Sequence, residues 1–144
     1  MNEFLAEFAS VVWVTLSYLG VYYVIITYGL IAKRRAARRC KSLGERFDRY
    51  NSQDPELLAA DRMQLNTLEH MPPFIVFLWL QAAVVSAESA TVLGALYVMI
   101  RATYPFFLGR ELSSSLPRRV LINTFSGYLV MVAFAGSQLY ELLG

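Results

Sequence analysis

The chain has 144 residues, a formal net charge of +2, and 56% hydrophobic residues. This apolar fraction and a mean hydropathy of +0.42 are too high for an ordinary soluble domain of this length, so the composition indicates a membrane protein. The single cysteine, Cys40, excludes a disulfide framework within one chain and a cysteine-rich metal site.

Four apolar stretches follow one another, and each is close to the about 20 residues that a helix needs to cross a bilayer. They are Phe4 to Ala32, Met71 to Ala87, Ala90 to Leu108, and Val120 to Leu143. Acidic residues precede the first stretch, unlike a cleaved signal peptide, so we expect it to stay in the protein. The sequence predicts an all-α integral membrane protein, a single domain over residues 1–144. Its four transmembrane helices are expected over about 4–32, 56–87, 90–110 and 117–142.

Prolines and short polar residues mark where two of these helices begin. Asp54 and Pro55 form an N-cap followed by proline at the first helical position, so helix two should begin before its apolar part. Pro72 and Pro73 predict a kink within that helix. Pro117, after the serines at 113–115, should start helix four in the same manner.

Basic residues are distributed on one side of the predicted membrane. All 13 lysines and arginines lie in the first and third connections or in the helical turns beside them. The other side holds Glu3, Glu7, Glu88 and Glu141 and no lysine or arginine. By the positive-inside rule both basic connections face the cytoplasm, in a bacterial inner membrane or the endoplasmic reticulum. The run from Lys33 to Arg39 is expected to anchor the chain at anionic lipid headgroups rather than to bind nucleic acid.

Polar residues form a stripe on helix two. Arg62, Asn66 and Glu69 are spaced i, i+4 and i+7, which places them on one helical face. Charges facing lipid are costly, so this face should meet protein or a wet cavity, and such residues are usually functional. An alternative is an ion pair between Arg62 and Glu69 that only fastens helices together.

Helix three carries a similar stripe. Tyr97, Arg101, Tyr104 and Leu108 share one face, and Arg101 is the sharpest anomaly because it lies within an apolar segment. Arg101 either extends to the membrane interface or joins Arg62 in an anion site. With His70 as the sole histidine, the sequence has neither a Ser-His-Asp arrangement nor a metal-ligand cluster, so no metal is expected.

The segment from Arg62 to Phe74 resembles the R-x-x-x-N-x-x-E-x-x-P-x-F signature of the MAPEG family, membrane-associated proteins in eicosanoid and glutathione metabolism. Asp54-Pro55, Arg101-x-x-Tyr104 and Pro117-x-Arg119 are similar to further family motifs, and the resemblance covers nearly the whole chain. The resemblance implies a homotrimer of four-helix protomers in the lipid bilayer, with glutathione bound between neighbouring subunits. It also implies a small hydrophobic substrate that reacts with the glutathione thiolate.

Site residues follow from the resemblance position by position. Arg62 and Arg101 would hold carboxylates, Glu69 the ammonium and Asn66 the peptide, while Tyr104 and His70 would line the site. Arg34, or its neighbour Arg35, would reach a carboxylate from the adjacent subunit. Arg119 would stabilise the thiolate, although the long preceding loop leaves Arg118 as an alternative. The residues that this set comprises are Arg34, Arg62, Asn66, Glu69, His70, Arg101, Tyr104 and Arg119.

The resemblance implies a membrane-bound glutathione transferase, with glutathione peroxidase activity as a further expectation. One departure is Leu108, where the family often has a second tyrosine. The alternative is therefore a non-catalytic lipid-binding scaffold resembling lipoxygenase-activating protein, which is a member of the same family. A third possibility is that the polar stripes only hold helices together.

Overall fold

The computed structural model describes residues 3–109 and 118–144, and from residue 6 onward it also describes the side chains of these ranges. All regular secondary structure in them is α-helical, in agreement with the predicted fold class. The helices are α1 (Glu3–Ser42), α2 (Pro55–Val84), α3 (Ala87–Leu108) and α4 (Arg118–Leu143). The helix α1 continues past the apolar stretch that ends at Ala32 and includes the whole basic run.

Three of these helices are long and apolar enough to cross a membrane, namely α1 from Ala6 onward, α3 and α4. The helix α2 has 30 residues but is not among these three, and its first half carries Glu56, Asp61, Arg62 and Glu69. The membrane character that the composition predicts is therefore supported by three helices.

The helices form a bundle in which α2 and α3 occupy the middle. These two pack against each other, and both contact α1 and α4, whereas α1 and α4 do not contact each other within the described residues. The Thr91 hydroxyl donates to Ser10 Oγ at 2.8 Å, which places the start of α1 beside the start of α3. Arg39 near the end of α1 reaches Asp54 before α2, so α1 and α2 are antiparallel.

One end of the bundle therefore contains the end of α1, the start of α2, the end of α3 and the start of α4. We call it the basic end and define it by Ser42, Pro55, Leu108 and Arg118. The described lysines and arginines belong to the helical turns and the connection at this end. Their segregation along the chain is thus also a segregation in space.

The predicted start of α2 is confirmed. Asp54 accepts hydrogen bonds from the backbone N–H groups of Glu56 and Leu57 at 3.1 and 3.0 Å, and Pro55 is the first helical residue. These contacts satisfy donors that the first helical turn leaves without a partner. The helix continues through Pro72 and Pro73. The predicted start of helix four at Pro117, with its preceding serines, lies outside the described residues.

Aromatic rings fill the centre of the bundle and connect all four helices. The Phe74 ring lies 4.8 Å from Tyr18 and 4.4 Å from Tyr97, between ring centroids, and 6.5 Å from Phe134. Gly94 lets α3 approach α1 and α2 closely, since a Cβ atom there would lie 2.6 Å from the Leu78 side chain. Such packing of rings and small residues holds the α2 and α3 stripes in a fixed register.

Candidate functional site

The centre of the candidate site is Arg101 on α3. Its side chain is 1% exposed, so it points into the bundle, which excludes the alternative in which it extends to the interface. Arg101 Nη1 donates to Asn66 Oδ1 at 2.8 Å, and Nε donates to the Tyr97 hydroxyl at 3.1 Å. The guanidinium carbon also lies 5.4 Å from the centroid of the Tyr97 ring. The polar stripes of α2 and α3 therefore meet where Arg101 binds Asn66.

The guanidinium group of Arg101 retains an unused donor. Its Nη2 atom is buried and has no hydrogen-bond partner among the described residues. A buried charged donor without a partner is costly, whereas a guanidinium with a free side is well suited to bind a carboxylate. The geometry at Arg101 therefore fits an anionic ligand group.

The remaining residues of the α3 stripe are buried as well. Tyr97, Tyr104 and Leu108 are 0%, 2% and 4% exposed, so the predicted shared face is confirmed as the inner face of α3. Tyr104 belongs to a buried cluster with Met63, the residue after Arg62. The structure thus places Tyr104 beside the start of the α2 stripe.

Arg62 and Glu69 lie on the exposed side of α2. Neither forms a hydrogen bond or ion pair with another residue in the described ranges, so the alternative of an Arg62–Glu69 pair is absent there. Asn66, between them on the same stripe, is half-buried through its contact with Arg101. The stripe therefore runs from the exposed surface of α2 to the interior of the bundle.

His70 is half-buried between α2 and α4. Its ring centroid lies 5.2 Å from that of Tyr128 on α4. His70 is therefore on the side of α2 that faces α4.

The arginines at the helix ends occupy different environments. Arg35 Nη1 binds Glu56 Oε1 at 2.7 Å, whereas Arg34 is exposed and has no hydrogen-bond or ion-pair partner in the described residues. Of this pair, Arg34 is the one available to another molecule. Arg118 and Arg119, the first residues of α4, are both exposed and likewise make no such contact within the described part of the chain. The geometry brings Asn66 and Arg101 into contact, buries Tyr104 on the same face of α3 as Arg101 and half-buries His70 on α2. It leaves Arg34, Arg62, Glu69 and Arg119 at the surface.

Sequence reasoning did not single out Asn123. This residue is 5% exposed and lies one helical turn after Arg119 on α4, where its carboxamide contacts α3. A polar residue one turn after a motif arginine, within an apolar segment, is a sequence signal that points to it.

An apolar groove lies between α1 and α3 near the basic end. Its volume is about 290 Å³, and its lining is almost free of polar atoms. Residues adjacent in sequence to the site contribute to it, since Met63 follows Arg62 and Pro105 follows Tyr104. The lining residues include Val21, Val24, Ile25, Met63, Ala102 and Pro105.

The fold and the site define a helical membrane protein with a buried arginine between its two central helices. The family model described as the MAPEG family matches residues 10–140, so the chain belongs to the MAPEG family. This result confirms the resemblance seen in the sequence. Members of this family use glutathione, and they include both glutathione transferases and non-catalytic proteins. No curated protein matches the chain.

Proposed function

We propose that the protein is a membrane-bound glutathione transferase that activates the glutathione thiolate against a lipophilic electrophile. The observation that carries this proposal is Arg101, buried to 1% exposure, fixed by Asn66 and Tyr97, and left with a free Nη2 donor. A buried, preorganised guanidinium supports binding of a carboxylate-bearing substrate such as glutathione.

The charges of the stripes complement those of glutathione. The tripeptide has two carboxylates, an ammonium, two peptide bonds and a thiol, so its site needs guanidinium groups, a carboxylate and an amide. Arg101 and Arg62 supply the guanidinium groups and Glu69 the carboxylate. Because Asn66 Oδ1 already accepts from Arg101, its amide N–H donors are available for a ligand carbonyl or carboxylate. The proposal also assigns Tyr104 and His70 to the lining of this site.

The binding site is completed by a neighbouring copy of the chain. Arg62 and Glu69 are exposed on a single chain, and charges on an exposed helical face are costly within a membrane. A homotrimer covers this face and lets Arg34 of one protomer reach the ligand bound to the next. All four helices cross the membrane in this assembly, with the basic end at the cytoplasmic surface.

The chemical step requires the thiolate form of glutathione. A free thiol has a pKa of about 8.5 and is mostly protonated at neutral pH, so a nearby cation is needed to favour the nucleophile. We assign this role to Arg119, at the start of α4. The apolar groove between α1 and α3 supports a lipophilic second substrate, since its lining offers apolar contact and almost no polar group.

The same observations also support a second candidate, a non-catalytic scaffold that binds lipid. An apolar groove is what a lipid-presenting protein needs, and by the sequence resemblance Leu108 stands where the family often has a second tyrosine. The two candidates differ in whether bound glutathione reacts. Binding alone does not separate them.

Conjugation of glutathione to 1-chloro-2,4-dinitrobenzene by the protein in mild detergent tests the proposal. In this reaction the sulfur bonds to the ring carbon, chloride leaves, and the thiol proton passes to the buffer. We expect turnover above the uncatalysed rate, a loss of about tenfold or more in Arg119→Ala, and unchanged turnover in Arg38→Gln. Arg38 is a matched control because it is exposed at the same end but outside the site. Binding of glutathione without turnover would favour the scaffold.

A further inference from the structure

Asn123 joins α4 to α3 with a fixed orientation of its carboxamide. Its Nδ2 donates to the Ile100 carbonyl oxygen and to Thr103 Oγ1, each at 2.9 Å. Since a backbone carbonyl can only accept, the amide nitrogen must face Ile100, and the assignment of the two carboxamide atoms is therefore determined. The Oδ1 atom consequently points away from this contact.

The Oδ1 atom of Asn123 has no hydrogen-bond partner among the described residues, although the side chain is only 5% exposed. A carboxamide oxygen buried without a donor destabilises the folded protein, because it has lost its hydrogen bonds to water. Such an atom is therefore expected to accept a hydrogen bond from something other than these residues. A ligand N–H group is one such donor.

Asn123 lies at the level of Arg101 across the α3–α4 contact. One turn further along α4, a Cβ atom on Gly127 would lie 3.6 Å from the Tyr97 ring. The helices α3 and α4 are antiparallel. Asn123 lies one turn before Gly127, and Arg101 lies one turn after Tyr97, so Asn123 and Arg101 are at the same level of the two helices. Each of the two residues has a buried atom without a partner among the described residues, Asn123 Oδ1 and Arg101 Nη2. Arg119, at the exposed start of α4, is about 6 Å away along the helix axis.

We propose that Asn123 is a further binding residue, whose Oδ1 accepts a hydrogen bond from a peptide N–H of bound glutathione. This inference rests on the proposed function. The donors that glutathione offers are its ammonium, its thiol and its two peptide N–H groups. Glu69 is assigned the ammonium, and the reactive thiolate is an acceptor that an Oδ1 atom would repel. The two peptide N–H groups, which flank the cysteine, remain, and an acceptor for one of them fixes the peptide while Arg119 faces the sulfur.

Glutathione and two analogues test this inference, each analogue having one peptide N–H replaced by an ester oxygen. Their affinities are measured by calorimetry with the full-length protein in detergent. We expect one analogue to bind wild-type protein about 5- to 10-fold more weakly than glutathione, and the difference to disappear in Asn123→Ala. If Asn123→Ala does not fold, Asn123→Ser is used in its place, because serine keeps a hydroxyl donor near α3.

Thr103→Val is the matched control. It removes one of the two α3 acceptors for Asn123 but leaves the Ile100 carbonyl and Oδ1 in place, so discrimination between glutathione and the analogue should persist. Equal binding of glutathione and both analogues by wild-type protein would overturn the role of Asn123 and leave the proposed function intact. Discrimination that survives in Asn123→Ala would also overturn it. Absence of any glutathione binding would overturn both proposals.

Discussion

At the scale of single residues, the main feature is the contact between Arg101 and Asn66. Among the described residues, the guanidinium uses Nη1 and Nε and leaves Nη2 without a partner, while Asn66 uses its oxygen and leaves its N–H donors without one. Each side chain therefore orients the other and retains donors for a ligand. Preorganisation of this kind reduces the entropy that binding would otherwise cost.

Replacement of Glu69 by glutamine tests the assignment of the ammonium subsite. Glu69→Gln removes the negative charge but keeps the size of the side chain, so we expect glutathione affinity to fall by about 2 kcal/mol, or about 30-fold. Turnover at saturating glutathione should change much less, since the ammonium is remote from the sulfur. Glu45→Gln, an exposed residue of the first connection, serves as control. Unchanged affinity with a comparable loss of turnover would contradict the assignment.

The adjacent arginines at the start of α4 allow a sharper test of thiol activation. Consecutive helical residues point about 100° apart, so Arg118 and Arg119 cannot both face the sulfur. We expect Arg119→Ala to raise the pKa of bound glutathione, seen as a shift of the thiolate absorbance titration to higher pH. Arg118→Ala should leave that titration in place. A shift in Arg118→Ala alone would transfer the role to Arg118.

At the scale of elements, ion pairs fix the first connection to the bundle. Arg39 binds both carboxylate oxygens of Asp54, with Nε and Nη2 each at 2.7 Å, and Arg49 binds both oxygens of Asp61 at 2.7 Å. Asp54 also caps α2, so a single carboxylate joins the end of α1 to the start of α2. The start of the helix that carries Arg62 and Asn66 is thereby fixed.

This arrangement predicts a pH dependence of stability. The Arg39 guanidinium, helped by backbone N–H groups of α2, holds the pKa of Asp54 below its usual range. A lowered pKa in the folded state means that the stabilisation is present above about pH 4 and is lost as the pH falls below it.

Thermal unfolding in detergent at pH 7 and pH 3 measures this effect. Asp54→Asn should cost up to about 1 kcal/mol at pH 7, a small value because Arg39 is 46% exposed and asparagine is also a good N-cap. The variant should lose less stability than wild type on acidification. An equal response of the two proteins to pH would show that the Asp54 charge does not contribute.

The elements were predicted unequally well from the sequence. Asp54 and Pro55 carry a capping signal that depends only on neighbouring residues, so the start of α2 was predicted correctly. The end of α1 could not be read from hydropathy, which locates the membrane boundary near Ala32 and not the end of the helix, since arginine and lysine continue a helix readily. The α1 basic run is helical to Ser42, and this places Arg35 and Arg39 on the side that faces Glu56.

The site was predicted in part for a related reason. Helical spacing showed that Arg62, Asn66 and Glu69 share a face, but spacing cannot tell which member of the face is buried. The Arg101–Asn66 contact and the Asn123 contact depend on the packing of helices distant in sequence, so only the structure shows them.

At the scale of the whole molecule, the proposal requires several copies of the chain. The half of the site formed by Arg62 and Glu69 is exposed on one chain, and Arg34 extends from the end of α1 without a partner in the described residues. A neighbouring protomer would bring these groups together and remove exposed charge from the membrane.

The mass of the protein in mild detergent tests the trimer, after subtraction of bound detergent. We expect three times the 16.3 kDa mass of the chain. We also expect glutathione binding to decrease when harsher detergent separates the protomers, because each site would lose the neighbouring chain. A monomer that binds glutathione with full affinity would contradict a site between subunits.

The central claim is that the buried arginine of α3 binds glutathione, and calorimetric titration of glutathione into wild-type protein and Arg101→Gln tests it most directly. Circular dichroism of both proteins establishes that the variant is folded. The proposal predicts saturable binding to wild type and an affinity lower by about 2 kcal/mol or more, about 30-fold, in Arg101→Gln. No binding to wild-type protein, or equal affinity in the folded variant, would contradict it.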